Sequence, residues 1–206
     1  MIITTQFIVL DRHPYRESAL ITTGLSPDYG RISFVIHGAQ KVSEKEFPKA
    51  DLFRELEIEF NDDGDPKELY NAKAVALQSS FDDIANDSRS FKMAGRIAGF
   101  ILKNTQANLE YPLTYDSLRS VLANLAASGC EHPPWTLEQC AVVLKCAFLY
   151  ENGLLPVAQN EKQNDFLENL VASGIDNSPL PGCNPQYWNT LNNWLNSIIE
   201  FHNLKR

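Results

Sequence analysis

Residues 11–41, DRHPYRESALITTGLSPDYGRISFVIHGAQK, decide the fold of the first part of the chain. Two segments within it, 19–25 and 31–37, have strand character, and between them lies Ser26-Pro27-Asp28-Tyr29-Gly30. Pro27 presets a negative φ and Gly30 can take a positive one, so the pattern predicts a reversal between paired strands. Around these strands stand Arg12, His13, Arg16, Arg31, His37 and Lys41, with Tyr15 among them. A small antiparallel sheet rimmed by cations and an aromatic suits single-stranded nucleic acid, because phosphates need positive charge and bases need a π face.

Further strands flank this stretch. Residues 7–10 form a short apolar run, and 52–60 alternate, with Leu56, Ile58 and Phe60 on one side and Glu55, Glu57 and Glu59 on the other. Residues 61–66 have turn composition, and 67–77 return as a fifth strand. Five strands with short reversals suit a Greek-key barrel of the OB type, and on pattern alone a sandwich fragment fits nearly as well. From Asp82 the apolar period changes from two to 3.6. Ala94, Ile97, Ala98 and Ile101 form one stripe, and Leu118, Val121, Leu122 and Leu125 form another that ends before Gly129. Thr136 and Gln139 make a capping-box signature for a helix that stops at Gly153. A shorter helix is expected at 161–172. The last one opens with Asn184 as cap and Pro185 in its first position, with Trp188, Leu191, Leu195 and Ile198 inward. The expected class is α+β: a five-stranded OB-type Greek-key barrel over 1–80, then an all-α helical domain over 81–206.

The order Pro14-Tyr15-Arg16-Glu17-Ser18, then a strand, then Tyr29-Gly30-Arg31-Ile32-Ser33-Phe34-Val35, then Gly38-Ala39-Gln40-Lys41, resembles the N-terminal domain of the RecO family of bacterial recombination mediators. Residues 149–156 (LYENGLLP) and the chain end Phe201-His202-Asn203-Leu204-Lys205 resemble its C-terminal part. The resemblance implies an OB-fold that binds single-stranded DNA, a helical domain that receives the acidic, hydrophobic C-terminal tail of single-strand-binding protein, and RecR as a further partner. Where the family commonly reads Ala-Arg-Gly-Ala-Arg-Lys, this chain has Ile36-His37-Gly38-Ala39-Gln40-Lys41, without two arginines that would stay charged at every relevant pH. Many members carry a four-cysteine zinc module after the Leu-Pro that Leu155-Pro156 resembles. Here 157–182 holds no cysteine and Cys183 stands alone, so a zinc-less variant is expected.

Composition bounds these readings. At 206 residues one or two domains are expected, and folding buries about 70% of the unfolded surface, so no staple is needed. The net charge of −8 opposes nonspecific nucleic-acid binding, so locally clustered cations have to supply it. The four cysteines, at 130, 140, 146 and 183, contain no C-x-x-C pair, and they are expected to be reduced thiols of a cytoplasmic protein. The start, MIITTQFIVLDR, has no basic segment and only a four-residue apolar run; neither a signal peptide nor a membrane span is expected.

Catalytic motifs are missing: there is no G-x-S-x-G, Walker A loop, G-x-G-x-x-G or H-E-x-x-H. The histidines at 13, 37, 132 and 202 fit no metal-ligand spacing, so neither metal nor cofactor is expected. Carboxylate pairs such as Asp62 with Asp63, or Asp82 with Asp83, sit where turns and helix starts use them for capping. Between Ser88 and Leu109 lie Arg89, Lys92, Arg96 and Lys103 and no acid. At roughly 100° per residue, Lys92, Arg96 and Lys103 fall within about 40° of one another. The plainer reading is a solvated face. The functional one is a groove for an acidic peptide, with the small residues Ala94, Gly95, Ala98 and Gly99 permitting close approach.

The expected function is a non-enzymatic DNA repair and recombination mediator. It would bind single-stranded DNA through Arg12, His13, Tyr15, Arg16, Arg31, His37 and Lys41, and single-strand-binding protein through Arg89, Lys92, Arg96 and Lys103. It would assist recombinase loading and strand annealing with RecR. The alternative is an acidic protein–protein adaptor of the same fold without significant DNA binding. A hydrolase using carboxylates of the 61–65 turn ranks last, since nothing nearby would position a nucleophile.

Overall fold

The computed structural model describes residues 1–39, 49–65, 67–130, 134–157 and 160–205. Among these, β1 (Ile2–Tyr15), β2 (Ala19–Ser26), β3 (Gly30–Ile36), β4 (Arg54–Asn61) and β5 (Leu69–Ser80) precede α1 (Ser88–Asn104), α2 (Pro112–Ala126), α3 (Leu137–Glu151), α4 (Glu161–Asp176) and α5 (Pro185–Phe201). The chain forms two compact units. One is Met1–Asp82 with Thr105–Pro112, and the other is Asp83–Asn104 with Leu113–Arg206. No helix among the described residues is long and apolar enough to cross a membrane.

The alternation of β4 closes the sheet. Leu56, Ile58 and Phe60 are fully buried, beside Phe7, Thr5 and Ile3 of β1 and beside Leu77, Val75 and Ala72 of β5. Glu57 is exposed and Glu59 partly so, whereas Glu55 is buried between Ile8 and Ser79. With β4 bonded on both edges, the order β1-β2-β3-β5-β4 joins back on itself, with a parallel β3–β5 pair and all other pairs antiparallel. That closure decides for the barrel over the sandwich fragment, because a sandwich keeps open sheet edges. Aromatic rings fill the interior edge to face: Phe7 on Phe34 at 5.1 Å, Phe34 on Phe60 at 5.2 Å, and Phe60 on Tyr70 at 4.8 Å.

The first strand is longer than its apolar run. Its beginning, Ile2 to Ile8, pairs with β4, a bulge lies between Val9 and Asp11, and Asp11 to Tyr15 pair with β2 alone among the named strands. The bulge bends the strand so that its polar half continues as a two-stranded ribbon past the end of β4. At that end Phe53, with φ 59°, donates its N–H to Val9 O and accepts from Phe81 N–H, which ties β1, β4 and β5 together. Beside it the buried Arg54 donates Nε to Asp82 Oδ1 at 3.0 Å and Nη2 to Oδ2 at 2.5 Å.

At the opposite end, the 26–30 reversal forms as its residues dictate. Ser26 Oγ accepts from the N–H groups of Asp28 and Tyr29, both at 3.2 Å, and Gly30 has φ 63°. Residues 105–112, between α1 and α2, lie over this turn. Arg31 N–H donates to Gln106 O, Asn108 N–H to Tyr29 O, and Tyr111 N–H to Pro27 O. A Cβ on Gly30 would fall 2.3 Å from Gln106 O and 2.4 Å from Leu109 O.

In the helical unit α3 is central: Cys140, Val142, Val143, Leu144, Cys146, Ala147, Phe148 and Leu149 are all buried. The capping box of Thr136 with Gln139 opens it, as its sequence predicts, and Asn184 caps α5 with Pro185 in its first turn. The 149–156 stretch has a structural explanation. Glu151 turns its carboxylate onto the start of α2, accepting from Leu113 N–H at 2.7 Å and Thr114 N–H at 2.9 Å, where a helix has unsatisfied donors. Gly153, at φ 65°, then lets Leu154 N–H reach back to Leu149 O.

Two outcomes follow. Gly30→Ala should cost at least about 2 kcal/mol in urea unfolding, since it adds a clash with the 106–109 backbone to the positive-φ penalty. Gly64→Ala shares a positive φ of 87° but has no atom within 4 Å of the added Cβ, and should lose only about 1 kcal/mol. The second concerns acid. The hydrogen bonds from Arg54 hold the Asp82 carboxyl below its ordinary value, so the stabilisation is complete above about pH 4 and is lost as pH falls through the lowered folded pKa. Asp82→Asn should therefore cost about 1–2 kcal/mol at neutral pH and flatten the acid limb of a stability–pH curve.

Candidate nucleic-acid and partner interfaces

The ribbon end of the barrel gathers most of the cationic residues. Pro14, Leu20 and Ile36 stand abreast on β1, β2 and β3, so Tyr15 and Arg16 at the β1–β2 turn share one end of the sheet with His37 just past β3. Neighbouring strands are about 4.8 Å apart, which makes this end about 10 Å wide, the scale of a nucleotide strand. Arg16 is exposed, has φ 53°, and places its guanidinium carbon 5.0 Å from the Tyr15 ring centroid. A planar cation stacked on an aromatic is a surface for both phosphate and base.

The acid excess of the chain reaches this end as well. Arg12 Nε lies 3.2 Å from Asp51 Oδ1, and His13 Nε2 lies 2.9 Å from Asp11 Oδ2. Arg16 and His37 have no carboxylate partner among the described residues. Arg31 is elsewhere. It pairs with Leu25, which lies level with Ile8, about 16 Å back along the strands from Ile36, and its Nη2 faces Glu68 at 3.8 Å. The strand alternation that groups Arg31 with the others in sequence places it at the turn end instead. Lys41, with Gln40, Glu44 and Glu46, lies outside the described residues.

On α1, Arg89, Lys92, Arg96 and Lys103 are all exposed. Arg89 Nε lies 3.7 Å from Asp87 Oδ1. Ala94 and Ala98 are buried, and a Cβ on Gly95 or Gly99 would meet no atom within 4 Å, so the small residues do not seat a neighbouring element at those glycines. Of the four, Arg96 lines a groove of about 400 Å³ between α1, α3 and α5, and the other three do not line it. Met93, Ile97, Phe100, Leu144 and Ile199 give it an apolar surface, and Lys145 of α3 adds a second cation. Among the described residues no carboxylate lines it. An apolar groove with two cations accepts a ligand that joins hydrophobic groups to negative charge.

Sequence reasoning missed Lys145. The signal was present: it is the single charge in the run Cys140-Ala-Val-Val-Leu-Lys-Cys-Ala-Phe-Leu149, and a lysine is seldom placed on a buried helix without a task. The cysteines of that run are buried, and burial pushes the thiols of Cys140 and Cys146 up to about 12, which keeps them as inert thiols. Among the described residues no group of three or more His, Cys, Asp or Glu is gathered as a metal site would need.

Residues 1–81 match the model of the family described as Recombination protein O N terminal. Over 119 residues the chain is 29% identical to a DNA repair protein RecO of Mesoplasma florum. That stretch is 57% of this chain and 44% of the relative, so the match spans less than half of the relative's length.

The donor set yields one expected outcome. Elemental analysis of protein purified without chelator should show far less than one zinc per chain, because tetrahedral zinc needs four convergent Cys or His ligands. A stoichiometric zinc signal, released by thiol modification with loss of fold, would refute this.

Proposed function

We propose, from the match of its first 81 residues to the family described as Recombination protein O N terminal and from its likeness to a DNA repair protein RecO, that the chain is a DNA repair and recombination mediator of the RecO type acting in the cytoplasm. Single-stranded DNA lies across the ribbon end at Arg12, His13, Tyr15, Arg16 and His37, and the acidic, apolar tail of single-strand-binding protein enters the groove at Arg96. RecR is the further partner. No bond is made or broken: binding energy is exchanged between protein and nucleic-acid surfaces, so that single-strand-binding protein is displaced and a recombinase loads or complementary strands anneal.

The observation that carries this reading is the groove between α1, α3 and α5, where Arg96 and Lys145 meet six apolar side chains and, among the described residues, no acid. A protein with a net charge of −8 that keeps one apolar groove free of carboxylates has a local potential opposite to its overall sign. The acidic adaptor reading is favoured by a different observation: Arg12, His13 and Arg31 already face Asp51, Asp11 and Glu68. In that reading the groove functions and the barrel binds no DNA.

A titration of labelled single-stranded DNA at two salt concentrations separates them. The mediator shows weak binding that falls steeply with salt, as counterion release requires. Arg16→Glu should abolish it with little change in melting temperature, because an exposed charge seldom contributes more than about 1 kcal/mol to folding. Undiminished binding by this variant would remove the ribbon end as the site, and no binding by the parent protein would leave the adaptor. In calorimetry with the tail peptide, Arg96→Ala should weaken affinity about tenfold, or about 1.4 kcal/mol, while Lys92→Ala and Lys103→Ala, outside the groove, should change it less than about twofold.

A further inference from the structure

Asn152-Gly153 is the only Asn-Gly step in the chain, and it stands at the end of α3. Glycine after asparagine leaves the main-chain nitrogen open to approach, because no Cβ shields it. That nitrogen can attack the side-chain amide of its own neighbour, with water as the co-reactant. Gly153 N gives up its proton to solvent and bonds to Asn152 Cγ, the Cγ–Nδ2 bond breaks, and ammonia leaves with a proton from solvent. Water then opens the five-membered imide at either carbonyl and leaves an aspartyl or an isoaspartyl residue.

The folded chain holds both reacting groups elsewhere. Asn152 Nδ2 donates to Phe148 O at 2.7 Å, so the side chain lies back along the helix, and Gly153 N–H donates to Tyr150 O at 3.0 Å. Gly153, at φ 65°, then directs the N–H groups of Leu154 and Leu155 to Leu149 O. Ring closure has to break the first two bonds together, which opens the last turn of α3. That turn is also anchored from outside, since the Glu151 carboxylate accepts from Leu113 N–H and Thr114 N–H. We propose that Asn152 is a deamidation site whose conversion is gated by opening of this helix end, and that the product keeps the end from closing as before. An aspartate at 152 has no hydrogen to donate to Phe148 O, and it adds negative charge at the negative pole of the helix. The isoaspartyl product also lengthens the main chain by one carbon, which displaces the closure on Leu149 O.

The test is to incubate the whole chain in mildly alkaline buffer, folded or in guanidinium chloride above its unfolding midpoint, and to follow residue 152 by mass spectrometry of tryptic peptide 146–162. Conversion should be at least about tenfold faster in the unfolded chain, because the folded one reacts only through its open fraction. Equal rates in the two states, or no conversion in denaturant, would overturn the inference. Glu151→Ala releases the outside anchor and should speed conversion of the folded chain at least about threefold, with the rate in denaturant unchanged. An unchanged folded rate in that variant would remove the helix end as the gate. Thermal melting reads the consequence without any incubation. Asn152→Asp should melt below Asn152→Ala, which loses the same hydrogen bond without adding charge, and a melting temperature at or above that of the alanine variant would overturn the effect assigned to the product.

Discussion

A guanidinium withdrawn from water holds one end of the barrel in register. Arg54 begins β4 and is 6% exposed. A charge so placed is tolerable only with a partner of opposite sign, and Asp82 meets it with both carboxylate oxygens. This contact fixes where β5 ends relative to where β4 starts, at the same place where Phe53 bridges β1 to Phe81. If β4 slipped by one residue, Leu56, Ile58 and Phe60 would face solvent and Arg54 would lose its carboxylate. Hydrophobic alternation and a single ion pair thus specify the same register by independent means, and the closed sheet depends on that agreement.

Charge is distributed in the two units by different rules. On the barrel, cations at the ribbon end and at the turn end have acids within reach, so most of the positive potential is compensated where it arises. In the groove of the helical unit, Lys145 donates to the amide oxygens of Asn192 and Asn196. What decides recognition is the local pattern of acceptors, and total charge sets only the background.

Much of the architecture was legible in the sequence because it rests on short-range rules. The Pro27–Gly30 reversal, the alternation of 56–60, the Thr136–Gln139 capping box and the Asn184-Pro185 start each follow from a few adjacent residues. The parts that were not legible depend on partners far apart in the chain. The polar half of β1 carries no alternation, and it is a strand only because β2 pairs with it. Arg31 belongs in sequence to the ribbon cations and in space to the other end of the barrel, which only the register reveals. Helical spacing put Lys92, Arg96 and Lys103 on one face, yet the groove is made with residues of α3 and α5, so one helix could not show which of the three would line it.

The return of residues 105–112 to the Pro27–Gly30 turn bears on how the protein is made. All five strands have been synthesised once Ser80 is added, but the backbone that bonds Pro27, Tyr29 and Arg31 follows only with Gln106 to Tyr111. At about 5–20 residues per second the strands therefore exist for about a few seconds before their last main-chain partners emerge. During that interval Gly30 and its neighbours face water, and the barrel is an assembled sheet with one end unsealed. A fragment ending at Asp82 would remain in that state permanently, so the first unit is contiguous in space but not along the chain, and no single cut separates it intact from the second.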